Sequence, residues 1–236
     1  MTDLSAMSDR WNALQERVAQ ACQSSQRDPS DVSVLPISKT FPVEAIRAAQ
    51  ALGFTRFGEN RMQEIRDKAQ AMGDAAPKWV VIGPVQTNKA RDVARYAAEL
   101  HTLDRLELAQ ALARRLDVEQ RTLEVLVQVK TAAEESKHGM AAEDLIPFLK
   151  TLSTQYPALR VKGLMTVATQ SDDEQTVRAC FRQLRALRDA ARAEAIAGVS
   201  LDRLSMGMSG DYAWAIAEGA TEIRIGSALF GDRSYT

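Results

Sequence analysis

The residues best suited to chemistry are a lysine, an arginine and two glycine–serine stretches. Lys39 closes the run VSVLPISK (32–39), and an amine at the end of an apolar strand is partly desolvated. Desolvation and nearby cations lower the pKa of a lysine and make its amine a nucleophile toward aldehydes. A strand-end lysine equally serves as a surface residue that snorkels to solvent, and position alone does not separate the two. Gly207-Met208-Ser209-Gly210 opens a helical segment, and Gly226-Ser227 follows the last β-rich run. Glycine lets the backbone approach an anion, while helix-start amides and serine hydroxyls donate to it. Ordinary turns and caps ask for the same residues. Arg224 alternates with Ile223 and Ile225 and so faces away from them. A buried guanidinium needs a partner, either a carboxylate such as Glu59 or Asp104, or a ring nitrogen of a ligand. Asn60 reads as a turn residue or as a donor to a ligand oxygen. His101 reads as a core or rim histidine with one backbone hydrogen bond, and Asp104 as a helix cap.

These positions gain meaning from the elements that carry them. An amphipathic helix opens the chain, with Leu4, Met7, Trp11, Leu14, Val18 and Ala21 spaced by three and four. After QSSQRDPSD come eight β-rich runs: VSVLPISK (32–39), FTRFGEN (54–60), KWVVIG (78–83), ELHTLD (99–104), LEVLVQVKT (123–131), RVKGLMTV (160–167), LDRLSMGM (201–208) and EIRIGSALFG (222–231). A helical stretch lies between each successive pair, the first with Pro42 at its opening position. Strict alternation implies a parallel sheet covered by helices. Eight units predict an α/β fold, a single (β/α)₈ barrel over 32–231 with an extra N-terminal helix over 1–27, all one domain spanning 1–236. An open doubly wound sheet is the other arrangement eight strands allow. In a barrel the C-terminal ends of the strands carry the site, and phosphate is often bound beyond strands seven and eight. Lys39, Asn60, Ser209, Arg224, Gly226 and Ser227 all fall at that rim.

The bulk numbers exclude several classes. Of 236 residues 45% are hydrophobic, and the net charge of −1 lacks the basic excess of a nucleic-acid binder. Cys22 and Cys180 are far apart and the histidines are only His101 and His138, so no metal-ligand spacing exists. Cys180 falls in a helical apolar pattern and reads as a reduced core thiol. The opening MTDLSAMSDRW lacks the layout of a signal peptide, and no apolar run reaches the roughly 18 residues of a membrane span. A cytoplasmic protein, by default a monomer, is expected.

Eight segments together carry a resemblance: ISKT (37–40), RFGENRMQE (56–64), IGPVQTNK (82–89), HTLDR (101–105), ESKHG (135–139), KGLMT (162–166), LSMGMSGD (204–211) and EIRIGSALFG (222–231). In order and spacing the chain resembles the pyridoxal-phosphate homeostasis proteins, relatives of the N-terminal barrel of alanine racemase. The resemblance implies a fold-type III barrel with pyridoxal 5′-phosphate (PLP) as a Schiff base on Lys39. It implies Ser209, Gly226 and Ser227 at the phosphate, Ser205 and Met206 lining the site, Asn60 near the phenolic oxygen and Arg224 facing the ring nitrogen. Lys137, in the strand-five loop, matches a lysine the family implicates in handling the cofactor. Relatives often carry a second lysine after Ser-Lys-Thr, where this chain has Phe41.

The Arg224 assignment bears on activity. Arginine donates a hydrogen bond but not a proton, so the ring nitrogen stays unprotonated and the cofactor is a weaker electron sink. Racemases of this kind add a tyrosine from a second domain, and none is expected after strand eight. The expectation is therefore a carrier that buffers PLP and delivers it to apo-enzymes through transient contacts, with little catalysis. The alternatives are a PLP-dependent racemase or lyase, and a cofactor-free Schiff-base aldolase.

Overall fold

The structure is a computed structural model and describes residues 4–132 and 138–231. Short, largely buried runs form eight parallel strands: β1 Ser33–Pro36, β2 Arg56–Glu59, β3 Lys78–Val81, β4 Ala97–Leu103, β5 Leu123–Gln128, β6 Leu159–Met165, β7 Arg203–Met208 and β8 Glu222–Ile225. They hydrogen-bond in the order β1-β8-β7-β6-β5-β4-β3-β2. A parallel bridge from Ile37 to Gly58 joins the two ends, with Ser38 N–H donating to the Gly58 carbonyl at 3.0 Å. The fold is an α/β barrel of the TIM type, not an open sheet.

Helices α2 Val43–Ala51, α3 Met62–Met72, α4 Ala90–Tyr96, α5 Leu106–Val118, α6 Leu145–Gln155, α7 Glu174–Ala193 and α8 Tyr212–Ala217 separate successive strands. Each turns an apolar stripe to the sheet, as in α7, where Val177, Cys180, Phe181 and Leu184 are buried. Asp173 caps α7 by accepting from Gln175 and Thr176 N–H, worth about 1 kcal/mol. The opening helix, α1 Leu4–Ser24, buries Met7, Leu14, Val18 and Cys22 and packs against both α8 and α2, closing the outer ring. Arg10 of this helix donates to the Leu229 carbonyl, and Arg27, just beyond its end, donates to the Ile216 and Ala220 carbonyls.

The main apolar core lies between sheet and helices, whereas inside the barrel, among the described residues, Leu35, Ile37 and Val80, with Ile82, form a small separate apolar cluster. The rest of that interior includes buried polar groups, and these split into an upper and a lower set.

Four local readings change. β1 stops at Pro36, so Lys39 stands on a turn beyond the strand, where Thr40 takes φ +69°. EIRIGSALFG divides into β8 and a helical turn, α9 Ser227–Phe230, with Gly226 at its cap. Pro42 is the cap of α2 rather than its first residue, and Arg105 rather than Asp104 precedes α5.

Candidate functional site

At the C-terminal rim a cavity of about 240 Å³ is lined by Ile37, Lys39, Ile82, Met208, Ser209, Gly210, Arg224, Gly226 and Ser227. Residues from strands one, three, seven and eight, far apart in sequence, meet there. Lys39 and Ser209 are half-buried and Ser227 is exposed. The backbone bend that presents Ser209 depends on Gly207. Its φ is +94°, and a Cβ there would stand 2.6 Å from the Ala215 Cβ, so α8 packs against the strand end only over glycine.

Arg224 is 4% exposed, and its partners are oxygens of neutral groups. Nη1 donates to the Ser205 carbonyl at 2.8 Å and hydroxyl at 3.1 Å, and Nη2 to the Thr166 carbonyl at 2.9 Å. The carboxylates proposed from sequence are engaged elsewhere: Glu59 pairs with Lys68 at 2.6 Å and Asp104 with Arg105 at 2.6 Å. Among the described residues no carboxylate forms an ion pair with Arg224. Burial lowers its pKa, partly offset by the more distant charges of Glu222 and Asp211. A guanidinium begins so high that it stays charged. The rim thus holds a fixed cation whose charge is not cancelled by contact.

Asn60 lies across Ile82, in an adjoining cavity of about 180 Å³ with Gly83, Thr102, Gln128 and His138. Gly83 permits that approach, since a Cβ there would sit 2.2 Å from the Asn60 carbonyl oxygen. The two cavities together reach the lower part of the roughly 300–1,000 Å³ range of small-ligand pockets. Ser205 is buried beneath Arg224. Met206 is buried in the main core cluster with Ala215 and Ile216 and lines neither cavity. Lys137 lies outside the described residues. Phe41 stacks on Phe230, with ring centroids 4.8 Å apart, and so ties the Lys39 turn to α9.

Size alone would have misplaced the site. A cavity of about 850 Å³ opens at the opposite end of the barrel, lined by Arg27, Arg56, Lys78, Glu99 and Arg203 among others. Its floor is an ion-pair network: Arg56 and Arg203 both contact Glu99 and Glu222. His101 is fully buried within it, 3.0 Å from Glu99 and 3.5 Å from Glu222, so its partners are side-chain carboxylates rather than the backbone. In barrels that end serves stability.

A lysine amine, two serine hydroxyls, the glycine that opens α9 and a buried guanidinium therefore converge on one small cavity. The profile of the family described as alanine racemase, N-terminal domain, matches residues 3–234. The chain belongs to that family. It is 40% identical to the pyridoxal phosphate homeostasis protein of Pseudomonas aeruginosa, over 98% of each chain. Among solved structures it superposes on an unknown protein from Bifidobacterium adolescentis with a TM-score of 0.89 at 31% identity, covering 96% of this chain and 95% of that one. It superposes on PipY from Synechococcus elongatus PCC7942, solved with PLP bound, with a TM-score of 0.79 at 35% identity, covering 91% of this chain and all of PipY.

The donor set fits such a group on its own chemistry. The serines and helix-start amides suit a phosphate, the lysine suits an aldehyde, and Arg224 suits a neutral ring nitrogen. What the sequence left unseen are the apolar walls, Ile37 and Ile82, the Thr166 carbonyl that fixes Arg224, and Lys68. Lys68 has a signal in hindsight, because it falls on the buried stripe of α3 with Ile65 and Met72.

Proposed function

We propose that this protein holds pyridoxal 5′-phosphate covalently on Lys39 and acts in cytoplasmic homeostasis of the cofactor, buffering it and delivering it to apo-enzymes, with little or no catalysis of its own. The observation that carries this reading is the convergence of Lys39, Ser209, Gly226, Ser227 and buried Arg224 on one cavity. The names of relatives at up to 40% identity over nearly the whole chain support it. PLP brings an aldehyde that condenses with a primary amine with loss of water, and a ring that withdraws electrons best when its nitrogen is protonated. Ser209, Ser227 and the amides at the start of α9 would hold the phosphate, with Asn60 on the far side of the ring. Arg224, locked by Ser205 and Thr166, would donate a hydrogen bond to the ring nitrogen without protonating it. That arrangement retains the cofactor and keeps its carbanion chemistry weak.

Visible absorption before and after borohydride, followed by peptide mapping, tests the reading. The expected result is a yellow protein that bleaches and retains a phosphopyridoxyl group on Lys39. Lys39→Ala should bind the cofactor more weakly and without attachment. A colourless protein that takes up no added PLP would overturn the proposal. Steady turnover of an amino acid would replace the carrier with an enzyme.

A further inference from the structure

The turn that carries Lys39 is gripped by three charged side chains that line neither rim cavity. Glu59, at the end of β2, is fully buried, and its Oε1 accepts from Ser38 Oγ and from Lys68 Nζ, each at 2.6 Å. Lys68, on α3, also donates to the Ser38 carbonyl at 3.0 Å and to Glu64 Oε2 at 3.3 Å. That same Glu64 oxygen accepts the Thr40 N–H at 2.8 Å. The residue before Lys39 and the residue after it are therefore both fastened, and both fastenings meet at one ammonium.

Local preference does not explain the turn. Thr40 takes φ +69°, a conformation uncommon for β-branched residues, so the contacts around it must hold it there. Burying Glu59 and Lys68 is also a poor route to stability, since apolar residues of similar volume often serve as well. Burial raises the Glu59 carboxyl pKa despite Lys68 and Ser38, and leaves its Oε2 without a hydrogen-bond partner. Partial burial pushes Glu64 the same way, but the Thr40 N–H and Lys68 bring it below the ordinary carboxylate value. It is an ionised, strong acceptor.

We propose that Lys68, with Glu59 and Glu64, positions Lys39, fixing the Ser38–Thr40 turn so that the lysine amine meets the aldehyde carbon of a phosphate-anchored PLP. The inference rests on Lys39 being the attachment point. In that step the neutral amine adds to the carbonyl carbon, a C=N bond replaces C=O, and the oxygen leaves as water with both amine hydrogens. The three side chains exchange no proton in the step and act only through geometry.

The test compares PLP with pyridoxine 5′-phosphate, which carries an alcohol in place of the aldehyde and cannot attach. Wild type, Lys68→Met, Glu64→Ala and Glu64→Gln are followed by stopped-flow absorbance with PLP and by calorimetry with the alcohol. Displacing the amine by an ångström costs on the order of a hundredfold in rate, so Lys68→Met and Glu64→Ala should slow attachment by roughly 10- to 100-fold at saturating PLP. Glu64→Gln should stay close to wild type, because its amide oxygen still accepts from Thr40. Affinity for the alcohol should be unchanged in all of them. Lys68→Met strands buried Glu59 and is the variant at risk of unfolding, whereas Glu64→Ala removes a partly exposed group and carries the test by itself. Attachment at the wild-type rate in the variants overturns the positioning role alone, and so does an equal loss with both ligands. A wild type that never attaches PLP overturns the Lys39 reading, and the positioning role with it.

Discussion

The two ends of this barrel bury charge in opposite ways. At the lower end Arg56 and Arg203 face Glu99 and Glu222, two cations against two anions, within 2.6 to 2.9 Å. Burial pushes both carboxyls up, but the guanidiniums of Arg56 and Arg203, with the hydrogen bond from His101 to Glu99, outweigh it and hold both below the usual carboxylate range. At the upper end Arg224 has only neutral oxygens in contact, and the nearby carboxyls of Glu59 and Asp211 are raised by burial. The lower network is balanced in charge, each guanidinium facing two carboxylates, although Glu222 Oε1 and His101 Nδ1 stay without a hydrogen-bond partner among the described residues. The upper end gathers a guanidinium without a paired carboxylate, hydroxyls and a lysine around a cavity. The difference teaches that electrostatic balance, more than cavity size, separates a structural end from a binding end.

The strongest way to break this comparison is to remove a charge from the balanced network. Glu222→Ala leaves Arg56 and Arg203 short of a buried partner and should cost roughly 3–5 kcal/mol of stability, read from urea unfolding. The fraction that remains folded should take up PLP as wild type does. A variant that kept its stability but lost the cofactor would reverse the roles assigned to the two ends. The corresponding change above should do the opposite. Ser209→Ala should leave unfolding unaltered and weaken PLP binding by about 1.5–3 kcal/mol, the worth of a hydrogen bond to a charged group. Unchanged affinity would remove Ser209 from the phosphate site.

The same contrast explains what could be read from the sequence. The barrel was legible because short apolar runs and amphipathic helices are local patterns, and eight alternations leave few topologies. The rim was legible because strand ends are fixed once strands are found, which brought Lys39, Ser209, Arg224, Gly226 and Ser227 to one place. The lower network was not. Arg56, Glu99, Arg203 and Glu222 come from four strands, and nothing near any of them in sequence names its partners. The partner of Arg224 was missed for a related reason: a carboxylate is the obvious match for a guanidinium, and backbone carbonyls leave no mark on a sequence. Lys68 was overlooked because Glu64 four residues earlier makes it resemble an ordinary surface pair. α9 was hidden in the β8 run because four residues are too few to show a helical period.

The smallest expected effect is the sharpest probe of the comparison, because the two ends should respond to acid with opposite sign. Burial and Arg203 outweigh Glu222 and Glu99 and lower the His101 pKa, so the folded protein keeps that imidazole neutral. The unfolded chain takes up a proton near the ordinary value of about 6.5. Stability is then full above that pH and falls as the pH drops below it, by at most about 1.4 kcal/mol per unit for the one proton. Glu99 and Glu222, with depressed values, add nothing until the pH passes below the ordinary carboxylate range. Glu59 and Asp211, with raised values, take up protons first in the folded state and so oppose the loss. Between pH 6.5 and 5 the wild type should therefore lose stability through His101 alone. His101→Gln should make the profile flat or slightly rising toward acid, as the upper carboxyls act unopposed. An unchanged slope in His101→Gln would show that the lower network takes up its proton somewhere else, and that its charges are not balanced in the way the ion pairs indicate.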